Sequence, residues 1–362
     1  MTKSWPTKKL GEVLERNGII PAKIKRNDYR QNGKYPVVDQ GENLIAGYID
    51  DERKLYQGNL PVIVFGDHTR IVKYIDFPFA FGADGIKILR PQEILLPKFF
   101  YYVLVFNPVG NQGYKRHFSI LVQTKIPLPP LQIQKQIVER LDKIAEAQKL
   151  NDELIQKTDE LFQSLLHKEL NPAGKDWEVK KLGLVFDRIT DAILPTKQPE
   201  QKFNFIGLEN IESNTSRLVN ISPVQGKFIK STKTRFKIGD VLYGKLRPYL
   251  NKVWLADFDG ICSTDIWALR AKEGIILPQL LGAILQQSSI VQKSSASMAG
   301  ANLPRANKDI FDKITIALPP FGIQKQIVAK LSAVQDYKKQ LFEQKAKLKE
   351  LFDSALAESM KN

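Results

Sequence analysis

Four short stretches carry the side chains best suited to polar recognition. In "FGDHTRIVK" these are His68, Thr69, Arg70 and Lys73; in "GYKRHFS" they are Lys115, Arg116 and His117. In "YGKLRPYLNK" they are Lys245, Arg247, Tyr249 and Asn251; in "GANLPRANK" they are Asn302 and Arg305. Arg offers a planar fork of donors that fits a phosphate or a guanine edge, and an Asn amide fits an adenine edge. Lys supplies a point charge for phosphate. All four stretches are punctuated by Gly, Pro or Asn, the composition of loops. The competing reading for any one of them is a solvated loop charge; as a set they stand together, because the groups occupy matching places in two halves of the chain.

Bond-making chemistry finds little support. His68, His117 and His167 are scattered, and no HxH or HExxH spacing occurs. Cys262 is the only cysteine, which rules out an internal disulfide and a Cys-rich zinc site, and its setting "DGICSTDIW" predicts a buried small hydrophobe. There is no GxxxxGK[ST] phosphate loop and no Gly-rich cofactor fingerprint after a strand. The Pro129-Pro130 and Pro319-Pro320 pairs follow Leu, not the Asp, Asn or Ser of an adenine methyltransferase motif. Glu52 and Lys54 have a nuclease-like spacing but lie in the polar run "DDERK".

The chain of 362 residues has a net charge of +15, which favours an anionic partner. Residues 1–130 carry +7, 131–176 carry −2, 177–318 carry +7 and 319–362 carry +3. The excess therefore sits on two segments in equal amounts, as on a phosphate-binding surface shared by two domains. No apolar run approaches the ~20 residues that span a bilayer, and "MTKSWPTKKLGEVLE" has no apolar segment like a signal peptide's. A cytoplasmic protein is the expectation.

Those two segments are copies. "LPPLQIQKQIVERL" from Leu128 returns as "LPPFGIQKQIVAKL" from Leu318, with ten of fourteen residues identical. "WPTKKLGEVLE" from Trp5 returns as "WEVKKLGLVFD" from Trp177, Gly66 falls opposite Gly244, and Asp84 opposite Asp265. Each copy begins with short apolar runs cut by Gly, Pro and Asn, read as strands and turns. Each then passes a Pro-Pro pair into a stretch without Gly or Pro, over residues 131–171 and 323–362. Proline suits a helix start and not its interior, so each pair marks where a helix begins.

Along these helices a 4-3 spacing recurs, averaging the 3.5 residues of a coiled coil. One seam holds Ile137, Leu141, Ile144, Ile155, Phe162 and Leu165, with Gln148, Asn151 and Thr158 as polar interruptions. The other holds Ile327, Leu331, Val334, Leu341, Leu348 and Phe352, interrupted by Lys338 and Lys345. Pairing of the two helices, antiparallel, is the expectation; separate packing of each on its own domain is the alternative. The repeated Gln134, Lys135, Gln136 and Gln324, Lys325, Gln326 are read as a surface docking the same partner twice, against a merely solvated first turn.

Together the half-repeats, the "W..KKLG" starts, the two "LPP..IQKQIV..L" joints, the "LYGKLRPYLNKV" block and the two coils resemble the specificity subunits (HsdS) of type I restriction–modification systems. The resemblance spans essentially the whole chain. It implies an α+β fold: two mixed α/β target-recognition domains, at 1–130 and 172–318, with two long helices, at 131–171 and 319–362, forming an antiparallel coiled coil with an approximate two-fold axis. It implies that each domain reads half of a bipartite double-stranded DNA target and that the helices set the unread spacer. Unlike sequences at "FGDHTRIVKYI" and "YGKLRPYLNKV" point to an asymmetric target. The implied partners are two methyltransferase subunits, which use S-adenosylmethionine for adenine-N6 methylation, and, for cleavage, two motor–nuclease subunits using ATP and Mg2+. The chain itself would hold no cofactor and no metal and catalyse nothing. Two rival readings are a coiled-coil adaptor that binds protein rather than DNA, and a stand-alone DNA-modifying enzyme.

Overall fold

The computed structural model describes residues 5–15, 23–82, 85–110, 113, 116–298 and 303–361. The chain forms two compact units, one of residues 1–151 with 344–362 and the other of residues 152–343. The four segments expected from sequence follow element type. The compact units cut across them, because each long helix contributes one half to each unit.

The first unit contains β1 (Thr7–Lys9), β2 (Tyr35–Val38), β3 (Gly47–Ile49), β4 (Val62–Gly66), β5 (Val72–Ile75), β6 (Ala80–Phe81), β7 (Ile86–Leu89), α1 (Pro97–Phe106), α2 (Phe118–Leu121), β8 (Lys125–Pro127) and the start of α3 (Leu131–Glu169). Strands β5-β4-β7 form an antiparallel sheet. In the sheet β3-β2-β6, β2 runs parallel to β6. The β-branched run "VIVFG" makes β4 central, and all five residues are buried because both faces are covered. Ile63 and Phe65 face Phe99, Phe100 and Val103 of α1; Val62 and Val64 face Ile75, Phe79 and Phe81.

The second unit contains β9 (Glu178–Lys181), β10 (Phe186–Arg188), β11 (Ala192–Ile193), β12 (Lys202–Phe203), β13 (Phe205–Ile206), β14 (Val224–Gln225), β15 (Lys233–Phe236), β16 (Val241–Gly244), β17 (Val253–Leu255), β18 (Gly260–Cys262), β19 (Ile266–Ala271), α4 (Pro278–Leu285), α5 (Ser288–Ala296), α6 (Lys308–Lys313), β20 (Thr315–Leu318) and the start of α7 (Phe321–Lys361). The duplication is explicit. Sheet β10-β19-β16-β17 answers β5-β4-β7, the parallel pair β13/β18 answers β2/β6, and β20/β9 answers β1/β8. Register refines the alignment. Gly66 lies opposite Ile86 and Gly244 opposite Ile266, so Asp265 corresponds to Gly85, one residue from the match expected from sequence; Asp84 lies outside the described residues.

The helices pair within each unit. In the first, Gln148 Nε2 donates to Leu348 O at 3.1 Å and Arg140 pairs with Glu358 at 2.9 Å. In the second, Lys330 meets Glu169 at 2.8 Å and Lys338 pairs with Asp159. Partner numbers fall in α3 as they rise in α7, so the pairing is antiparallel. Ile137, Leu141 and Ile144 join the first core beside Phe352, Ala355 and Leu356. Phe162, Ile327 and Leu331 join the second, with Leu165 and Val334 packed on it. Leu341 is buried, and Ile155 and Leu348 are half-buried. After Phe162 the deepest positions are Leu166 and Leu170, a 4-4 spacing, because there α3 packs on the second unit's sheet as well as on α7. Pairing and packing on the domain are therefore not alternatives; one core serves both.

Candidate nucleic-acid interface

In each unit the turn leaving the central strand meets the segment ahead of a short helix. Asp67 N donates to Gly85 O and its carbonyl accepts from His117 N; Lys245 N donates to Asp265 O and its carbonyl accepts from Ala306 N. These matched backbone bonds make Asp67 equivalent to Lys245, Gly85 to Asp265, and Arg116 to Arg305. The scaffold is shared and the side chains differ.

In the first unit His68, Thr69 and Arg70 lie on the β4–β5 turn. Thr69 and Arg116 are exposed, whereas His68 and Arg70 are half-buried. Arg70 adopts a left-handed φ of 64° and donates to Val109 O at 3.1 Å. Asp67 is buried; its carboxylate accepts from Phe118 N at 2.8 Å and thereby ties the start of α2 to the turn. Two sequence candidates are corrected by their burial. His117 is fully buried, with Nδ1 3.0 Å from Asp67 O, so its ring supports the turn and does not face solvent. Lys73 is buried too, its Nζ donating to Asp39 O and Asn43 O, and burial pushes its pKa down against the opposing pull of Asp39. Lys115 lies outside the described residues.

In the second unit Lys245, Arg247 and Arg305 come together. Arg247 is exposed, with φ 52°, and its N–H donates to Pro304 O at 2.8 Å. Arg305 Nε donates to Asp265 at 2.9 Å. Arg188, held by Asp312 at 2.8 Å, lies 4.5 Å from the Trp267 ring centre. Burial lowers the Lys245 pKa; Asp265 opposes this, while Arg305 and Arg188 add to it. Tyr249 is half exposed. Asn251 is the third correction: it is 8% exposed, has φ 48° and donates to Gln286 O, a hydrogen bond that fastens its loop to the end of α4. Asn302 lies outside the described residues.

Both units thus present cations on a turn braced from beneath, a surface suited to phosphate and base edges. The profile of the type I restriction modification DNA specificity domain matches residues 2–158 and again residues 174–350. The chain belongs to that family. It is 28% identical over 201 residues to the Escherichia coli type I restriction enzyme EcoDI specificity subunit, covering 54% of this chain and 44% of that protein. It is 32% identical over 147 residues to the Escherichia coli EcoR124I/EcoR124II specificity subunit, covering 37% of this chain and 36% of that one. The aligned stretches thus span less than half the length of these relatives. A crystal structure of a type I restriction-modification S subunit from M. genitalium shares the fold, with TM-score 0.65 and 14% identity over 99% of this chain and 96% of that one. So does a chain from a structure concerned with complex assembly and conformational transition of a type I system, with TM-score 0.57 and 16% identity over 99% and 98%.

The repeated joint of this specificity-family chain now has a physical explanation. Gln134 is fully buried: its Oε1 accepts from Leu96 N at 2.8 Å, and its Nε2 donates to Ile94 O and Pro129 O. Gln324 does the same with Leu277 N, Ile275 O and Pro319 O. Each amide staples the first turn of a long helix to the start of α1 or α4. The expectation of partner docking is corrected for these two glutamines, since neither reaches the surface. Lys135, Gln136, Lys325 and Gln326 are exposed. Sequence reasoning also missed Gln40, Arg188, Leu208 and Asp265, which reach the turns from distant elements. The glycines at 66, 85 and 244 were the available signal, since a Cβ there would collide with Thr69, Gln40 or Leu208.

Proposed function

We propose that this chain is the DNA-recognition subunit of a type I restriction–modification enzyme. Each unit reads one half of an asymmetric bipartite target in double-stranded DNA, and the antiparallel helices set the gap. The observation that carries this reading is the pair of matched turns: equivalent backbone bonds present Arg116, Thr69 and Arg70 in one unit and Lys245, Arg247 and Arg305 in the other. Equal scaffolds with unequal side chains suit two different half-sites. The chain catalyses nothing itself. Two methyltransferase subunits dock along the helices, with Lys135, Gln136, Lys325 and Gln326 in the contact. S-adenosylmethionine belongs to those subunits, and ATP and Mg2+ to two restriction subunits. A DNA target puts the assembly in the cytoplasm, on the nucleoid. Among the described residues no helix is long and apolar enough to cross a membrane.

Co-expression with a type I methyltransferase subunit, followed by mapping of N6-methyladenine in host DNA, tests the proposal. A bipartite motif with a fixed gap and two unlike halves is expected. Methylation without such a motif would overturn it. DNA methylation by the isolated chain would favour the enzyme reading, and protein binding with no salt-dependent DNA binding would favour the adaptor.

A further inference from the structure

In each unit a lysine next to the turn reaches the backbone of a loop from the second sheet. Lys73, on β5, donates from Nζ to Asp39 O at 2.7 Å and to Asn43 O at 2.5 Å, with the Asp39 carboxylate 3.8 Å away. Lys252, just before β17, donates from Nζ to Leu208 O at 2.7 Å. The two loops are equivalent. Asp39 and Gln40 follow the end of β2, whose Val38 O accepts from Gly82 N; Gly207 and Leu208 follow the end of β13, whose Ile206 O accepts from Ser263 N. Both loops cross the glycine that opens the turn. A Cβ on Gly66 would meet Gln40 Cβ at 3.0 Å, and a Cβ on Gly244 would meet Leu208 Cδ2 at 2.8 Å. Gln40 is fastened further: Thr69 Oγ1 donates to its carbonyl at 2.7 Å, and His68 N to its Oε1 at 3.4 Å.

One position of the repeat therefore carries an amide in the first unit and an isobutyl group in the second, each half-buried next to the turn, with Leu208 also packed on the core cluster of Ile206, Ile211 and Leu242. A glutamine amide pairs with an adenine edge, whereas a leucine offers only an apolar contact such as a thymine methyl would accept. Lys73 fixes its loop through two carbonyls, and burying its charge is tolerable only because acceptors surround it; the half-buried Lys252 fixes its loop through one carbonyl. We infer that Gln40 and Leu208 are specificity positions, one for each half-site, and that Lys73 and Lys252 are positioning residues that hold them against the turns. This inference rests on the DNA-reading function proposed above.

The test uses the full chain with its methyltransferase partner and maps methylated adenines in host DNA. Gln40→Ala relaxes discrimination at one position of one half-site by about tenfold, leaving the other half-site and the gap as they were. Leu208→Ala relaxes the opposite half-site. Lys73→Met and Lys252→Met follow Gln40→Ala and Leu208→Ala respectively, while Lys252→Arg, which keeps a donor, restores the second half-site. A residue that merely supports the fold would lower methylation at all sites together and leave the motif intact. Unchanged motifs in both Gln40→Ala and Leu208→Ala overturn the inference, as does relaxation of the same half-site by both. If Lys73→Met abolishes methylation through misfolding, Gln40→Ala decides the first unit alone. A wild-type chain that yields no bipartite motif overturns the proposed function itself, a result distinct from intact motifs in the variants.

Discussion

At the scale of single residues, burial separates supports from contacts among side chains of the same type. Lys73 and Lys245 are both lysines beside a glycine turn, yet one is spent on backbone carbonyls and the other shares a cationic cluster with Arg305 and Arg188. Asn251 and His117 hold loops together from inside. Arg247 is exposed in a left-handed conformation, and Arg305 is half-buried and paired with Asp265. These placements give the two arginines different expected effects. Arg247→Ala weakens cognate and scrambled duplexes alike and lowers the salt dependence by about one counterion, the signature of a phosphate contact. On the proposed DNA-binding surface Arg305→Ala also frees the Asp265 carboxylate, so it loses affinity more steeply. Binding titrations of the methyltransferase complex over a range of salt check both; unchanged binding removes these arginines from the interface. Cys262 matches the sequence reading: it is fully buried, and burial pushes its thiol up to about 12.

At the scale of elements, the joints and the helix pair carry the expected consequences. A buried amide with three hydrogen bonds leaves several groups unsatisfied when removed. Gln134→Ala or Gln324→Ala therefore costs about 1–3 kcal/mol, read as a lower denaturation midpoint, without a change in which bases are recognised. Under the proposed docking, Lys135→Ala and Lys325→Ala leave stability unchanged and weaken methyltransferase association, measured by co-purification. In the coil, Lys338 is 8% exposed and pairs with the better-hydrated Asp159. Removing only the carboxylate by Asp159→Ala strands a mostly buried cation and destabilises by about 3 kcal/mol at most. Lys338→Met, which removes the charge and keeps the volume, is neutral or stabilising. Chemical denaturation of the three proteins compares them. The 4-3 pattern located both helices because an amphipathic face repeats with helix geometry whatever it packs on. It misplaced the depth at Leu165 and Leu166 because the second partner there is a sheet, whose position no local pattern encodes.

At the scale of the whole molecule, the proposed function turns the helices into a spacer. Deleting one heptad from each, at residues 148–154 and 342–348, shortens each by about 10 Å and the unread gap by about three base pairs, with both half-words retained. Methylation mapping reads the result, and an unchanged gap refutes the spacer role. The duplication, the two long helices, their antiparallel pairing, the lone inert cysteine and the division of charge were legible in the linear chain. They are written in repeated motifs and their order along the chain, in periodicity, in proline and glycine punctuation, or in simple counts. The exact correspondence of Gly85 with Asp265, the stapling glutamines and the lysine-held loops were decided only by tertiary structure. In those cases a side chain is satisfied by a carbonyl or amide tens of residues away. Whether a Gln or Lys ends up buried or facing solvent depends on which acceptors the fold brings to it, and sequence spacing holds no record of that encounter.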